Sequence, residues 1–333
     1  MSRDGVVADG ELEMIVRILA VLTILLSVLS TAAPAQQWPN RPIQVIVPFA
    51  AGGSTDVAAR LVGQHLSKAF GQQVVVENKA GANGNIGTEA AVKSAPDGYT
   101  VLIAPDSVAL NPHVYKVSYD ALKDLVPVVQ ISRQPHVLAA HPSLGVKSVA
   151  ELVALVKREP GLRFGTGAGA GSQQHMVTMQ FAKVANIELV QVSYRGGGQA
   201  INDLVAGHVK LGMLGSTPLI PHYKVGALQL LAQTTATRSP ALPEIPTFEE
   251  AGIKGVVGDQ WLGVFVPQGT PADIVAKLNT EIGKALADPA IRKNLEDSAQ
   301  EPIGGSAESF AKLVRDDYAK FEKLARELNI RVN

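Results

Sequence analysis

The 333-residue sequence has no cysteine. That excludes a disulfide framework, a thiolate metal site, a cysteine nucleophile and a lipidated N-terminal cysteine. Aromatic residues make up only 5% of the chain, with two tryptophans. Sugar rings are commonly held on aromatic faces, so a sugar ligand is disfavoured. Neither sign of charge is in excess: 30 basic residues face 30 acidic ones. No polyanion partner, and so no nucleic acid, is implied. The histidines are His65, His113, His136, His141, His175, His208 and His222, and none forms an H-x-H or H-x-x-x-H pair. The usual spacing of a histidine metal site is missing, and neither a metal nor a cofactor is expected.

Long apolar runs are missing too. Ile18–Ser30 is apolar over 13 residues, too short to span a bilayer comfortably. It follows Met14-Ile15-Val16-Arg17 and leads to Ala33-Pro34-Ala35, an A-x-A cleavage pattern. Residues 1–35 therefore read as a secretory signal region. The acids Asp4, Asp9, Glu11 and Glu13 stand where such a leader should be positive, so translation is expected to start at Met14. The expected address is the periplasm, reached through a cleaved signal peptide.

Small residues are what the chain has in the right places. Ile43–Asp56 reads IQVIVPFAAGGSTD and Leu162–His175 reads LRFGTGAGAGSQQH. Each is an apolar run, a turn of very small residues, then a Ser or Thr that can open a helix. A strand feeding such a loop into a helix N-terminus leaves backbone N–H groups aimed at one spot. It binds an anion without a charged side chain. Two copies, one per half, imply two lobes closing on one anionic ligand. The second copy places capture at the N-terminus of a helix over 173–184, with Ser172 as its cap.

The 46% hydrophobic content allows sizeable cores, and the length allows about two domains. From Pro39 to Ala104 the pattern runs β-α-β-α-β, which argues a mostly parallel sheet flanked by helices. Strands are expected at Val126–Ile131 and Val137–Ala140, joined by Ser132–Pro135. The alternation restarts at Leu162 and includes a glycine-rich turn at Tyr194–Gly198. Thr247 and Glu250 have capping-box spacing for a short helix. Trp261 opens a further strand and reads equally well as cleft wall or core. Without a Gly/Ser or Pro linker, the chain is expected to cross between lobes twice. The expected division is 36–136 for the first part of lobe 1, 137–258 for lobe 2, and 259–333 for the return segment.

The enzymatic readings are thin. The first loop lacks the Gly-Lys-Ser/Thr of a Walker loop. Gly165–Ser172 (GTGAGAGS) keeps only a relaxed G-x-G-x-x-A register, and no acid closes the following strand. Ser172 and His175 lie at a helix start without a G-x-S-x-G elbow.

PFAAGGSTDVAAR (48–60), VVVENKAGANGNIGTEA (74–90), PDGYT (96–100), GAGAGSQQH (167–175), YRGGGQAINDLVAGHV (194–209), LPEIPTFEEAG (242–252) and WLGVFVPQGTP (261–271) occur in order. In these motifs the chain resembles the Bug-type solute-binding receptors of tripartite tricarboxylate transporters, over about 40–333. The resemblance implies an α/β fold of the type II periplasmic binding protein kind: two lobes, each a mostly parallel sheet flanked by helices, with a cleft between them. It implies a receptor, not an enzyme, that takes a small organic carboxylate and delivers it to membrane permease subunits. It places ligand contacts at Phe49, Ala51, Gly53, Ser54, Thr55 and Asp56, and at Gly169, Ala170, Gly171, Ser172 and His175. By the same resemblance Tyr194 and Gly196 are expected to face the same cleft, and Asn85 and Ser107 are further carry-overs. A monomer is the default. A ligand-sensing subunit for a signalling partner and an exported α/β enzyme are the alternatives. Ala50-Ala51 stands where relatives often carry proline, and the bare turn at Arg195–Gly198 leaves room for a bulkier ligand.

Overall fold

The computed structural model describes residues 38–332 and Ile18. Apart from Ile18, the expected signal region and the start at Met14 lie outside the described residues. Met1–Asn40 and Arg41–Asn333 form separate compact units. In the first, the Trp38–Pro39 peptide bond is cis. The second unit carries everything that follows.

Its first sheet is centred on β1 (Ile43–Val47), flanked in parallel by β2 (Val74–Asn78) and β3 (Thr100–Pro105). β1 is nearly all apolar and almost wholly buried, as a central parallel strand must be when both its faces are covered. Helix α1 (Ser54–Phe70) follows, burying Ala58, Ala59, Val62 and Leu66. It ends at Gly71, whose φ of 63° fits the left-handed cap position that favours glycine. Helices α2 (Asn85–Val92) and α3 (Ser107–Val114) complete this stretch.

The two expected strands at 126–131 and 137–140 are one. β4 runs unbroken over Leu125–Ala140. Up to Pro135 it pairs antiparallel with β9 (Asp259–Pro267), and β9 in turn pairs with β3. From His136 it pairs antiparallel with β7 (Leu211–Gly215), and from Val137 with β8 (Gln229–Gln233). Its two prolines read as breaks in the sequence. Pro127 sits at a register shift and Pro135 at the end of the β9 ladder, positions where a missing N–H is tolerated.

The second sheet has the same parallel centre. β5 (Leu162–Thr166) lies between β6 (Leu189–Ser193) and β7. Helices α4 (Val149–Arg158), α5 (Gln173–Ala185), α6 (Gly197–Val205) and α7 (Ser216–Lys224) cover it. The crossing strands run antiparallel to the parallel centres, so each sheet is mixed. After β9 come α8 (Ala272–Ala287), α9 (Pro289–Asp297), β10 (Glu301–Gly304), antiparallel to β4, and α10 (Ala307–Glu327).

β4 alternates its side chains between the faces of the second sheet. Leu138 and Ala140 join the core containing Phe164, Phe181 and Phe248, while Val137 and Ala139 join the core with Leu204 and Leu219. Trp261 belongs to the first lobe's core: it is buried edge-on against Phe310, and its indole N–H donates to Asp317 at 2.7 Å. Thr247 and Glu250 form the reciprocal capping-box hydrogen bonds, but the chain makes a turn there, not a helix. No helix of the described residues is long and apolar enough to cross a membrane.

Candidate functional site

The loop after β1 is built around an acid. The Asp56 carboxylate accepts from the Gly52 N–H and the Asn78 amide, each at 3.0 Å, and from Arg60 at 2.9–3.0 Å. Burial pushes its pKa up, but the hydrogen bonds from Arg60, Gly52 and Asn78 outweigh it and hold the carboxyl below its usual value. The same Asn78 amide donates to the Phe49 carbonyl at 2.9 Å. Asp56 is therefore already matched, and its role is to shape the loop.

This loop presses on the other lobe through backbone. The Ala50 N–H donates to the Arg195 carbonyl at 3.1 Å. Glycines make the approach possible. A Cβ on Gly198 would sit 2.2 Å from the Ala51 oxygen, and one on Gly196 2.6 Å from the Ala50 Cβ. Neither glycine has a positive φ, so what requires glycine there is space.

Between the lobes lies a small pocket of about 40 Å³. Phe49, Gly53, Ser54, Thr55 and Asp56 line it from lobe 1, and Gly167, Ala168, Gln174, Gly197, Gly215 and Pro218 from lobe 2. Three helix starts meet there. α1, α6 and α7 open on Gly53, Gly196 and Gly215, and none has a side-chain cap. α4, α9 and α10 are capped by Ser148, Asp288 and Ser306, while α2, α3 and α8 also start without a side-chain cap but do not line the pocket. An uncapped start leaves N–H groups without partners and the positive end of a helix dipole. No lysine or arginine lines the pocket.

At the N-terminus of α5, where capture is expected, Ser172 is the helix cap. Ser172 Oγ accepts from the His175 N–H at 3.3 Å, and His175 Nδ1 accepts from the Gly171 N–H at 3.0 Å. These groups occupy one another, and His175 stacks on Phe164 while burial lowers its pKa. α5 also offers Gln174, whose Oε1 takes the Gly167 N–H at 2.8 Å. The open donors come from α6 and α7. The sequence carried a signal for the latter: MLGSTP (213–218) repeats the strand, small residue, Ser/Thr pattern in shorter form.

The remaining expected residues distribute around the pocket. Ala51 and Gly196 form the inter-lobe contact just described. Gly169 and Tyr194 line a neighbouring cavity. The Ala170 carbonyl accepts from the Tyr115 hydroxyl, and Gly171, at φ 77°, packs near Val114 and Val332. Asn85 accepts from Asn111 at 2.7 Å and from the Tyr119 hydroxyl at 2.8 Å, an internal network of lobe 1 away from the pocket. Ser107 is buried, and its hydroxyl has no partner among the described residues. Beside it lies Asp106, fully buried and hydrogen-bonded to Gln260, a residue of the pocket wall. Burial first, then the nearby Asp317, pushes this carboxyl well above the carboxylate range.

Polar side chains tie the lobes together behind the pocket. The Gln134 amide donates to Gln260 Oε1 at 2.6 Å, Ser216 and Thr217 donate to Gln134 Oε1 at 3.2 Å, and Gln300 donates to Thr217 at 2.9 Å.

Two lobes joined by crossing strands over a donor-lined cleft define the architecture of the periplasmic binding proteins. The tripartite tricarboxylate transporter family receptor model matches residues 58–330, and the chain belongs to that family. It is 36% identical to the protein BugT of Bordetella pertussis over 317 residues, 93% of this chain and 97% of that one. Among solved structures, Rpa4515 of R. palustris with adipate superposes with a TM-score of 0.85 at 35% identity, covering 88% of this chain and 99% of that chain. MatC of Rhodopseudomonas palustris with bound malate gives 0.80 at 30% identity, covering 86% and 99%.

Proposed function

We propose that this chain is a periplasmic receptor that captures a small organic carboxylate between its lobes and delivers it to membrane permease subunits of the tripartite tricarboxylate type. The observation that carries the reading is the meeting of three uncapped helix starts at one pocket without a basic side chain. Backbone donors hold an anion without an opposing full charge, so release is not blocked by a strong ion pair. Two starts lie on one lobe and one on the other. Closure therefore completes the donor set only around a ligand, and reports occupancy to the permease. The adipate and malate of the two similar structures support a dicarboxylate as the class to test first. The lobe division at 136/137 and 258/259 belongs to this reading, supported by the change of strand partners at Pro135–His136 and by Asp259 opening β9.

A thermal-shift screen tests it, because a ligand that binds only the folded state raises Tm by mass action. Dicarboxylates and tricarboxylates are expected to raise Tm, whereas sugars and nucleotides leave it unchanged. The Gly53→Val variant, whose added side chain points at Gly197 of the other lobe, is expected to keep the unliganded Tm and lose the shift. A shift with a nucleotide alone, or an undiminished carboxylate shift in Gly53→Val, contradicts the reading.

A further inference from the structure

The pocket at the three helix starts is too small for a whole ligand. At about 40 Å³ it has room for roughly three or four water-sized groups, at about 10–15 Å³ each, which suits a carboxylate head. Beside it lies a second cavity of about 160 Å³. Phe49 borders both, and Arg195, whose carbonyl accepts from the Ala50 N–H, borders the second.

The second cavity is built from both lobes. Lobe 1 gives Gly81–Gly84 and Tyr115, and lobe 2 gives Gly169 and Ser193–Arg195. The stretch 81–84 is bent through four consecutive positive φ angles, of 141°, 47°, 52° and 90°. Ala82 and Asn83 hold theirs without the freedom of glycine, a strain that clusters at ligand sites. Asn83 is 4% exposed, and its Oδ1 has no hydrogen-bond partner among the described residues. It is left as an acceptor for water or a ligand hydroxyl. The Tyr115 and Tyr194 hydroxyls are engaged, with Ala170 and Asp203.

Arg195 is the cation of this lining, and no acid lines it. The guanidinium makes no ion pair among the described residues; the engaged groups of Arg195 are its backbone N–H, with Gln199, and its carbonyl, with Ala50. Gly196 is extended, at φ −179° and ψ 159°. That sets the Cα atoms of Arg195 and Gly197 about 7 Å apart. One residue thus stands at the second cavity and the other at the carboxylate pocket.

We infer that the second cavity receives the remote end of an elongated dicarboxylate, with the Arg195 guanidinium pairing the second carboxylate and the Phe49 ring walling the methylene chain between. The inference rests on the carboxylate-receptor reading and deepens it. A guanidinium binds a carboxylate through charge-assisted hydrogen bonds, so Arg195 sets preference by chain length and second charge, while the helix starts hold the first carboxylate of any acid.

Calorimetric titration of wild type and Arg195→Gln with succinate, adipate and hexanoate tests this. In the wild type, adipate is expected to bind more tightly than both succinate and hexanoate. Arg195→Gln is expected to weaken adipate by about tenfold and hexanoate by less than about twofold. Arg195→Glu is expected to weaken adipate further. Arg195 is exposed, and an unchanged unliganded Tm will establish that the variants fold. Equal weakening of adipate and hexanoate, or none of either, overturns the inference while leaving the receptor reading intact. Failure of wild type to bind any of a full panel of carboxylates overturns both.

Discussion

His136 lies fully buried on β4, its Nε2 2.7 Å from Gln173 Oε1 and its Nδ1 without a partner among the described residues. Burial pushes its pKa down to about 4, and the Gln173 hydrogen bond offsets only part of this. The unfolded chain holds its proton up to about pH 6.5. The unfolded state therefore binds more protons between those values, and stability is lost as the pH falls from about 6.5 toward 4. The full effect is up to about 3 kcal/mol at roughly 1.4 kcal/mol per unit. Tm measured from pH 7 to pH 4 is expected to fall, and His136→Gln is expected to flatten that slope whatever its Tm at pH 7. No sequence pattern marks His136, because its burial depends on which strand partners enclose it. Asp56 was legible as part of the small-residue loop, but its role was not. The chemistry that engages it comes from Asn78, 22 residues away, and from Arg60 on the next turn.

Among the elements, α5 announces itself through its Ser172 start signal, and the structure places it at Gln173–Ala185, within a residue of the expected 173–184. α3 and α7 do not, because Pro112 and Pro221 lie inside them and proline in a helical stretch reads as an end. β10, reading EPIG, is too short and broken to carry a pattern. These omissions mattered for the site, since α7 brings one of the three open helix starts. The start of α6 offers a direct test of closure. Gly198→Ala improves helix propensity by up to about 1 kcal/mol, yet its Cβ would meet the Ala51 carbonyl of the other lobe at 2.2 Å. The unliganded Tm is expected to hold or rise while carboxylate affinity falls at least about tenfold, as two lobes that cannot meet lose shared donors. Gly263→Ala is the contrast. Its Cβ would overlap the Phe310 ring inside one core, and such overpacking costs about 1–3 kcal/mol, so there Tm is expected to drop. Equal behaviour of the two variants would mean that the lobes need not approach each other.

At the scale of the molecule, the two-lobed α/β plan was readable from the restart of the alternation at Leu162. The route of the chain between lobes was not, because β4 hides behind Pro127 and Pro135. The balanced composition, 30 basic and 30 acidic residues, leaves no strong net field to steer an anion. Salt screens exposed charges far more than buried dipoles. Affinity for a monocarboxylate is therefore expected to change less than about twofold between roughly 0.02 M and 0.5 M salt. A steep salt dependence would point to an exposed cationic site in place of the helix starts.

The 16 residues of β4 act as one reading frame for both lobes. Past the register shifts at Pro127–Val129 and Gln130–Ser132, its side chains alternate, so that Val137 and Ala139 serve one core while Leu138 and Ala140 serve another. Inserting a single residue near Pro135 would leave the first sheet in phase and turn every later side chain of the strand to the opposite face. The larger Leu138 would then be sent where a valine or alanine fits. Lengthening elsewhere is absorbed by loops, but here it propagates, much as a frameshift does in a message. The phase of the second lobe is thus set by the length of the strand that enters it from the first.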